Sequence, residues 1–229
     1  MERSETDHMI FVRIVLILAS LFGFLWFLAE KTKPEFAPGL TMSGIGSVMF
    51  LAGIANCLPY VAVLVCCSGY FLLTFQLFRN SKISKAFSFS GSLLLISSVY
   101  FLFVLYGLKL TGYDDFSHWG VVVRILVEND RLPNLSDSIL TFQAYPTGSA
   151  AIIYYFVKIT GIKAEWMWLY AQAVVVLSHY VGLFSFAKSK KDQIFLVLIF
   201  LIILCSNIFF INLLVDTVIT ACSLCVMCF

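Results

Sequence analysis

Residues 36–78 contain no Asp, Glu, Lys or Arg, and that one stretch decides the solvent in which this chain folds. A helix needs about 20 apolar residues to cross the hydrocarbon of a bilayer. The stretch is long enough for two crossings, and Asn56 and Pro59 mark the turn between them. Further spans are expected over residues 10–28, 89–110, 166–186 and 194–214. The first of these has the length of a secretory signal, but Glu2, Glu5 and Asp7 precede it and Ala29-Glu30-Lys31 follows with no small-x-small cleavage site, so it is expected to stay as an anchor. With 61% hydrophobic and 12% charged residues, the chain lies outside the soluble range. The expected fold is all-α: a polytopic transmembrane helical bundle, with interfacial juxtamembrane helices in a large external loop.

Short loops rich in Lys and Arg stay in the cytoplasm. Arg79, Lys82 and Lys85, and then Lys188, Lys190 and Lys191, place two loops inside, so the polar stretch 111–147 falls on the extracytoplasmic side. The same frame puts Lys31 and Lys33 inside and Asp216 outside. It leaves no room for residues 149–159 to cross, so this apolar segment is expected to lie along the outer membrane surface, with Trp166 and Trp168 anchoring the span that follows. Residues 1–88 thus form an N-terminal group of about three spans, and 89–229 a second transmembrane unit carrying the external loop. The closing apolar run after Asp216 is too short to span, which predicts a longer parent chain.

A net charge of +2, with cations confined to short stretches, offers no basic face for nucleic acid. All seven cysteines sit in apolar runs and read as small hydrophobes. Cys222, Cys225 and Cys228 have a metal-like spacing, yet Leu224, Val226 and Met227 give such a site no polar support.

The chemistry-bearing segment is Tyr113-Asp114-Asp115-Phe116-Ser117-His118-Trp119. Adjacent carboxylates at a membrane rim are costly unless used or solvated. Phe116, Trp119, Val122, Val123 and Leu126 recur at helical spacing opposite Ser117, Arg124 and Glu128, which describes an amphipathic helix over 116–128. Two readings of the acidic pair stand side by side. One Asp suffices as a helix cap; a second carboxylate followed by His118 and Trp119 is what a sugar-handling site needs, namely a base, a hydrogen-bonding partner and an aromatic face. His179, within a span, is expected to hydrogen-bond a neighbouring helix.

An acidic pair in the first large external loop, then an amphipathic helix, Leu132-Pro133, and Tyr145-Pro146-Thr147-Gly148 together resemble the GT-C superfamily of membrane glycosyltransferases. The likeness covers residues 89–229 and is nearest to protein O-mannosyltransferases, lipid A aminoarabinose transferases and bacterial multi-span polysaccharide enzymes. Two departures stand out: Thr147 replaces a second proline, and four spans precede the acidic loop where one is usual. The resemblance implies inverting transfer of a sugar from a polyprenyl-phosphate donor to a hydroxyl of a glycan, lipid or protein acceptor, for cell-envelope polysaccharide or related glycosylation. Asp114 would be the base and Asp115 its catalytic partner; His118, Trp119, Arg124, Tyr145 and Asp216 would contact substrate, with Lys158 a further cation near the leaving phosphate. It implies no certain cofactor, although some members bridge such carboxylates with a divalent metal. The competing classes are a multi-span transporter and a non-catalytic membrane protein of polysaccharide assembly.

Overall fold

A computed structural model of the protein describes residues 2–79, 81–134, 136–137, 147–206 and 210–229, with side chains from residue 9 onward. The described residues form helices and turns with no strand. In lipid an α-helix satisfies every backbone polar group within one segment. The first three helices, α1 (Glu2–Lys31), α2 (Ala37–Ile54) and α3 (Leu58–Phe78), follow the apolar runs. Pro38 and Pro59 lie in the first turns of α2 and α3, where a missing N–H costs nothing, and the turn between these helices closes through Asn56 at φ 53°.

Helices α1 and α3 pack side by side and run the same way. The Ser20 hydroxyl donates to the Cys66 carbonyl at 2.9 Å, the Tyr70 hydroxyl to the Leu16 carbonyl at 2.8 Å, and the Gln76 amide to Glu30 at 3.0 Å. Their closest approach is glycine on glycine: a Cβ on Gly23 would strike the Gly69 carbonyl, and one on Gly69 would strike the Ser20 backbone. Small residues let helix backbones approach in this way. Because backbone cannot move aside as a flexible side chain can, Gly69→Ala is expected to cost about 1–3 kcal/mol of overpacking. Gly44 has open space around it, so Gly44→Ala should be neutral or stabilising. The check is the thermal midpoint of each variant in detergent, and equal midpoints would contradict the close packing.

Helix α4 (Phe89–Leu105) starts at Ser88, whose hydroxyl accepts from the Gly91 N–H at 3.3 Å. It runs antiparallel to α7 (Glu165–Tyr180): Phe89 meets Phe184 at 5.4 Å and Tyr106 meets Trp166 at 5.0 Å between ring centroids. Every residue of α7 from Trp166 to His179 is buried, so it is the central post, continued by tighter turns through Phe186. His179 bonds a neighbouring helix as the sequence suggested. Its Nδ1 must donate to the Val175 carbonyl at 2.8 Å, so its Nε2 accepts from the Ser43 hydroxyl of α2 at 2.8 Å. Helix α8 (Lys190–Cys205) opens with a Ser189–Asp192 capping box, and α9 (Val215–Cys228) packs on α7.

Among the described residues four helices are long and apolar enough to cross a membrane: Met9–Lys31, Ala37–Ile54, Leu58–Phe78 and Glu165–Phe186. The chain is a membrane protein. The other two expected spans form shorter helices, α4 with 17 residues and α8 with 16. The segment expected on the membrane surface is corrected by the structure. It is helix α6 (Gly148–Thr160), with nine of its 13 residues buried among α1, α2, α5 and α7. Ser149 and Ile152 lie beside Gln172 and Val175, halfway along α7, and the far end meets Arg13, which donates to the Thr160 carbonyl at 3.3 Å. The run from Ala150 to Val157 is apolar on every side, and a helix of that kind belongs inside protein.

Candidate functional site

The acidic segment hangs between the ends of α4 and α5 (Gly120–Asn129). Past α4 the chain turns at Gly107, φ 77°, and Leu110 is pinned where its N–H donates to Glu165 at 2.9 Å, in the first turn of α7. From there Gly112 starts a new helix. The Asp115 carboxylate reaches back three residues to accept the Gly112 N–H at 3.2 Å, which is the carboxylate half of a capping box. Its other oxygen accepts the Leu213 N–H at 2.7 Å, from the segment leading into α9. Asp115 is therefore a buried staple, 1% exposed, between two parts of the chain 98 residues apart.

Burial raises the Asp115 pKa, the Leu213 and Gly112 N–H groups oppose the rise, and the charges of Asp114 and Glu165 add to it; the balance is upward. A desolvated carboxyl beside a second carboxylate is expected to hold its proton more firmly. Asp114 is exposed and makes no capping hydrogen bond with its side chain. The two adjacent aspartates thus have different environments, one locked inside and one open.

Asp115–Trp119 is a single π-helical turn, closed by the Gly120 N–H donating to the Asp115 carbonyl five residues back. Such wide turns are rare and concentrate at functional sites. Glycine is required at position 120, because a Cβ there would press on the Asp115 carbonyl and the Leu110 side chain. His118 and Trp119, on this turn, are half-buried. The helix beyond is amphipathic as the sequence indicated, burying Val122, Val123, Ile125 and Leu126 and exposing Arg124 and Glu128.

Arg124 lies 3.7 Å from Glu165, and Lys158 bonds Asp130 at 2.8 Å. Both cations near the site are thus counter-charged from within the chain. Asp130 ends α5 in a left-handed conformation and also accepts from the Tyr154 hydroxyl at 2.6 Å, which ties α5 to α6. Burial pushes the Asp130 pKa up, but the bonds from Lys158 and Tyr154 outweigh it and hold the carboxyl below its usual range. Arg131 grips Asp137 through both nitrogens at 2.7 and 2.8 Å and brings that carboxyl down to about 2.

Asp216 is exposed in the first turn of α9, three residues beyond the Leu213 N–H that Asp115 holds. Three residues span at most about 11 Å, so Asp216 lies near the acidic pair. The Gln172 amide donates to the Asn212 carbonyl at 2.8 Å and fixes this segment to α7. Tyr145 lies outside the described residues. Among the described residues no group of three or more His, Cys, Asp and Glu is placed to hold a metal ion.

Glu165, Gln172 and Asn212 build the site's frame, and sequence reading passed over them. Glu165 carried a usable signal, an acid at the N-terminus of an apolar helix beside an interfacial Trp. The other two carried none. The fold and site together define an all-helical membrane protein with a buried–exposed aspartate pair at one end of the bundle. Compared with protein-family models, with curated proteins and with solved structures, the chain matches none.

Proposed function

We propose that this protein is a membrane glycosyltransferase of GT-C type, which moves a sugar from a polyprenyl-phosphate donor to an acceptor hydroxyl on the extracytoplasmic side. The observation that carries the reading is the hydrogen bond from the Leu213 N–H to Asp115. It gathers the acidic pair and Asp216, positions that the resemblance marks separately along the sequence, at one end of the bundle. Asp114 is the open carboxylate there and takes the proton of the attacking hydroxyl. Asp115 fixes its position, and Trp119 offers a ring face to the sugar. The test is transfer of labelled sugar from a polyprenyl-phosphate donor by membranes containing the complete gene product, against membranes lacking it. Equal transfer by both would end the proposal.

The distribution of cations along the bundle supports this sidedness. The 310 turn Ile83–Lys85 packs on α1, and Phe89 at the start of α4 meets Phe184 just before Lys188. Lys31, Lys33, Arg79, Lys85 and Lys188 therefore share one end, opposite the acidic pair, and the positive-inside rule makes that end cytoplasmic. With the seven native cysteines replaced, an impermeant maleimide on intact cells should label Asn134→Cys and spare Lys191→Cys. The reverse pattern would invert the orientation and remove the active site from the outer face.

One observation favours a transporter instead. The half-length helices α6 and α9 both begin against the middle of α7, where Ser149 and Val218 meet Gln172. Paired helix N-termini at mid-depth are a transporter's way of presenting partial positive charge to substrate. Sugar-phosphate flux into vesicles without covalent transfer would select that reading.

A further inference from the structure

Helices α1 and α4 stand apart on one side of the bundle and leave a cleft of about 350 Å³ between them. Leu18, Phe22 and Leu25 of α1 face Gly91, Leu94 and Leu95 of α4 across it, and its floor includes Ser178 of α7. The walls are apolar, and the volume is that of a small-molecule site, roughly 300–1,000 Å³. An unfilled gap of this size forfeits the dispersion contacts of every side chain that lines it. The cleft runs along α1, which is long and apolar enough to cross a bilayer, and along the shorter apolar helix α4, and in a bilayer the abundant filler is a hydrocarbon chain.

One end of the cleft is chemically marked. Ala86 and Phe87 line it there, immediately after the Ile83–Lys85 turn. Lys82 and Lys85 are exposed on that turn beside Ile83, Phe87 and Phe89, which are also exposed. Cations interleaved with large apolar side chains are what a segment at the lipid headgroup level presents. The nearby carboxylate of Glu30 accepts from Gln76 at 3.0 Å and faces Arg79 at 3.8 Å. Among the described residues neither Lys82 nor Lys85 makes a direct ion-pair contact, although the charge of Lys85 is felt by Glu30 at longer range.

We propose that the α1–α4 cleft holds one acyl chain of an anionic phospholipid whose phosphate rests on Lys82 and Lys85. The chain enters beside Phe87 and runs from Gly91 toward Ser98, a rise of about 10 Å over those residues at 1.5 Å per residue. This site is at the end of the bundle remote from Asp114. A donor bound there would hold its sugar far from the acidic pair, so the occupant is a structural lipid and the site is independent of the glycosyltransferase reading.

The test is native mass spectrometry of the complete gene product released from micelles after addition of phosphatidylglycerol, phosphatidylcholine or farnesyl phosphate. Wild-type protein should retain one phosphatidylglycerol. Near a membrane surface each Lys is worth about 1 kcal/mol to an anionic lipid, so Lys82→Ala with Lys85→Ala should weaken retention about tenfold to thirtyfold. Both side chains are exposed, so the double variant should keep the wild-type thermal midpoint. Ala19→Phe, which fills the cleft without touching a charge, should abolish retention. Equal retention of phosphatidylglycerol and phosphatidylcholine, preferential retention of farnesyl phosphate, or unchanged phosphatidylglycerol retention by both variants would overturn the proposal.

Discussion

Replacing Asp114 by Asn should lower sugar transfer by about 10²–10⁴-fold, the usual loss when a general base is removed, while the thermal midpoint stays at the wild-type value. The two expectations come from different observations. The side chain of Asp114 is exposed and makes no capping hydrogen bond, so an amide of equal size changes little in the fold. Asp115 beside it already spends an oxygen on each of two backbone N–H groups, which leaves Asp114 as the carboxylate with access to an incoming hydroxyl. The assay is transfer of labelled sugar in membranes, normalised to protein amount, alongside unfolding in detergent. Transfer within about twofold of wild type would remove Asp114 from the base role, since a lost proton acceptor cannot cost so little.

Asp115 should behave in the opposite way, with stability as the first readout. In Asp115→Leu two N–H groups, of Gly112 and Leu213, lose their acceptor in a buried place, and an orphaned buried donor costs about 1–3 kcal/mol. Together they amount to roughly 2–6 kcal/mol, a large share of the stability of most domains. Asp115→Asn keeps one acceptor oxygen but turns an NH₂ toward the second donor, so it should fall between Leu and wild type. Transfer should fall with stability in both variants, because the staple sets where Asp114 stands. The pH dependence supplies an independent check. The folded-state pKa of Asp115 is raised above its ordinary value of 3.8, so the folded protein holds that proton more firmly than the unfolded chain. The stabilisation this gives is present below 3.8 and is lost as pH climbs through the raised folded value. Asp115→Asn should abolish that slope. An Asp115→Leu protein as stable as wild type would show that the two hydrogen bonds carry no net weight.

The sequence by itself determined the solvent, the helices and which end of the bundle is basic. Residues 36–78 had to form two spans because lipid leaves a charge-free chain no other way to satisfy its backbone, and α2 and α3 occupy that stretch. The amphipathic α5 was legible because a period of 3.6 is written directly into which residues are apolar. Helix α6 was misplaced because a short apolar run such as Ala150 to Val157 has the same composition whether it lies on a surface or stands inside a bundle. The packing of α2, α5 and α7 around it is a tertiary fact. The division of labour between Asp114 and Asp115 was equally hidden. Neighbouring residues on a helix do not share a face, and the π turn that follows shifts the register from what an ideal helix predicts. Which aspartate turns inward depends on the N–H donor of Leu213, 98 residues away, and Arg124 finds its counter-charge on Glu165, well beyond its own helix. Local patterns fix elements because they depend on neighbours in sequence; the site depends on neighbours in space, which only the folded bundle brings together.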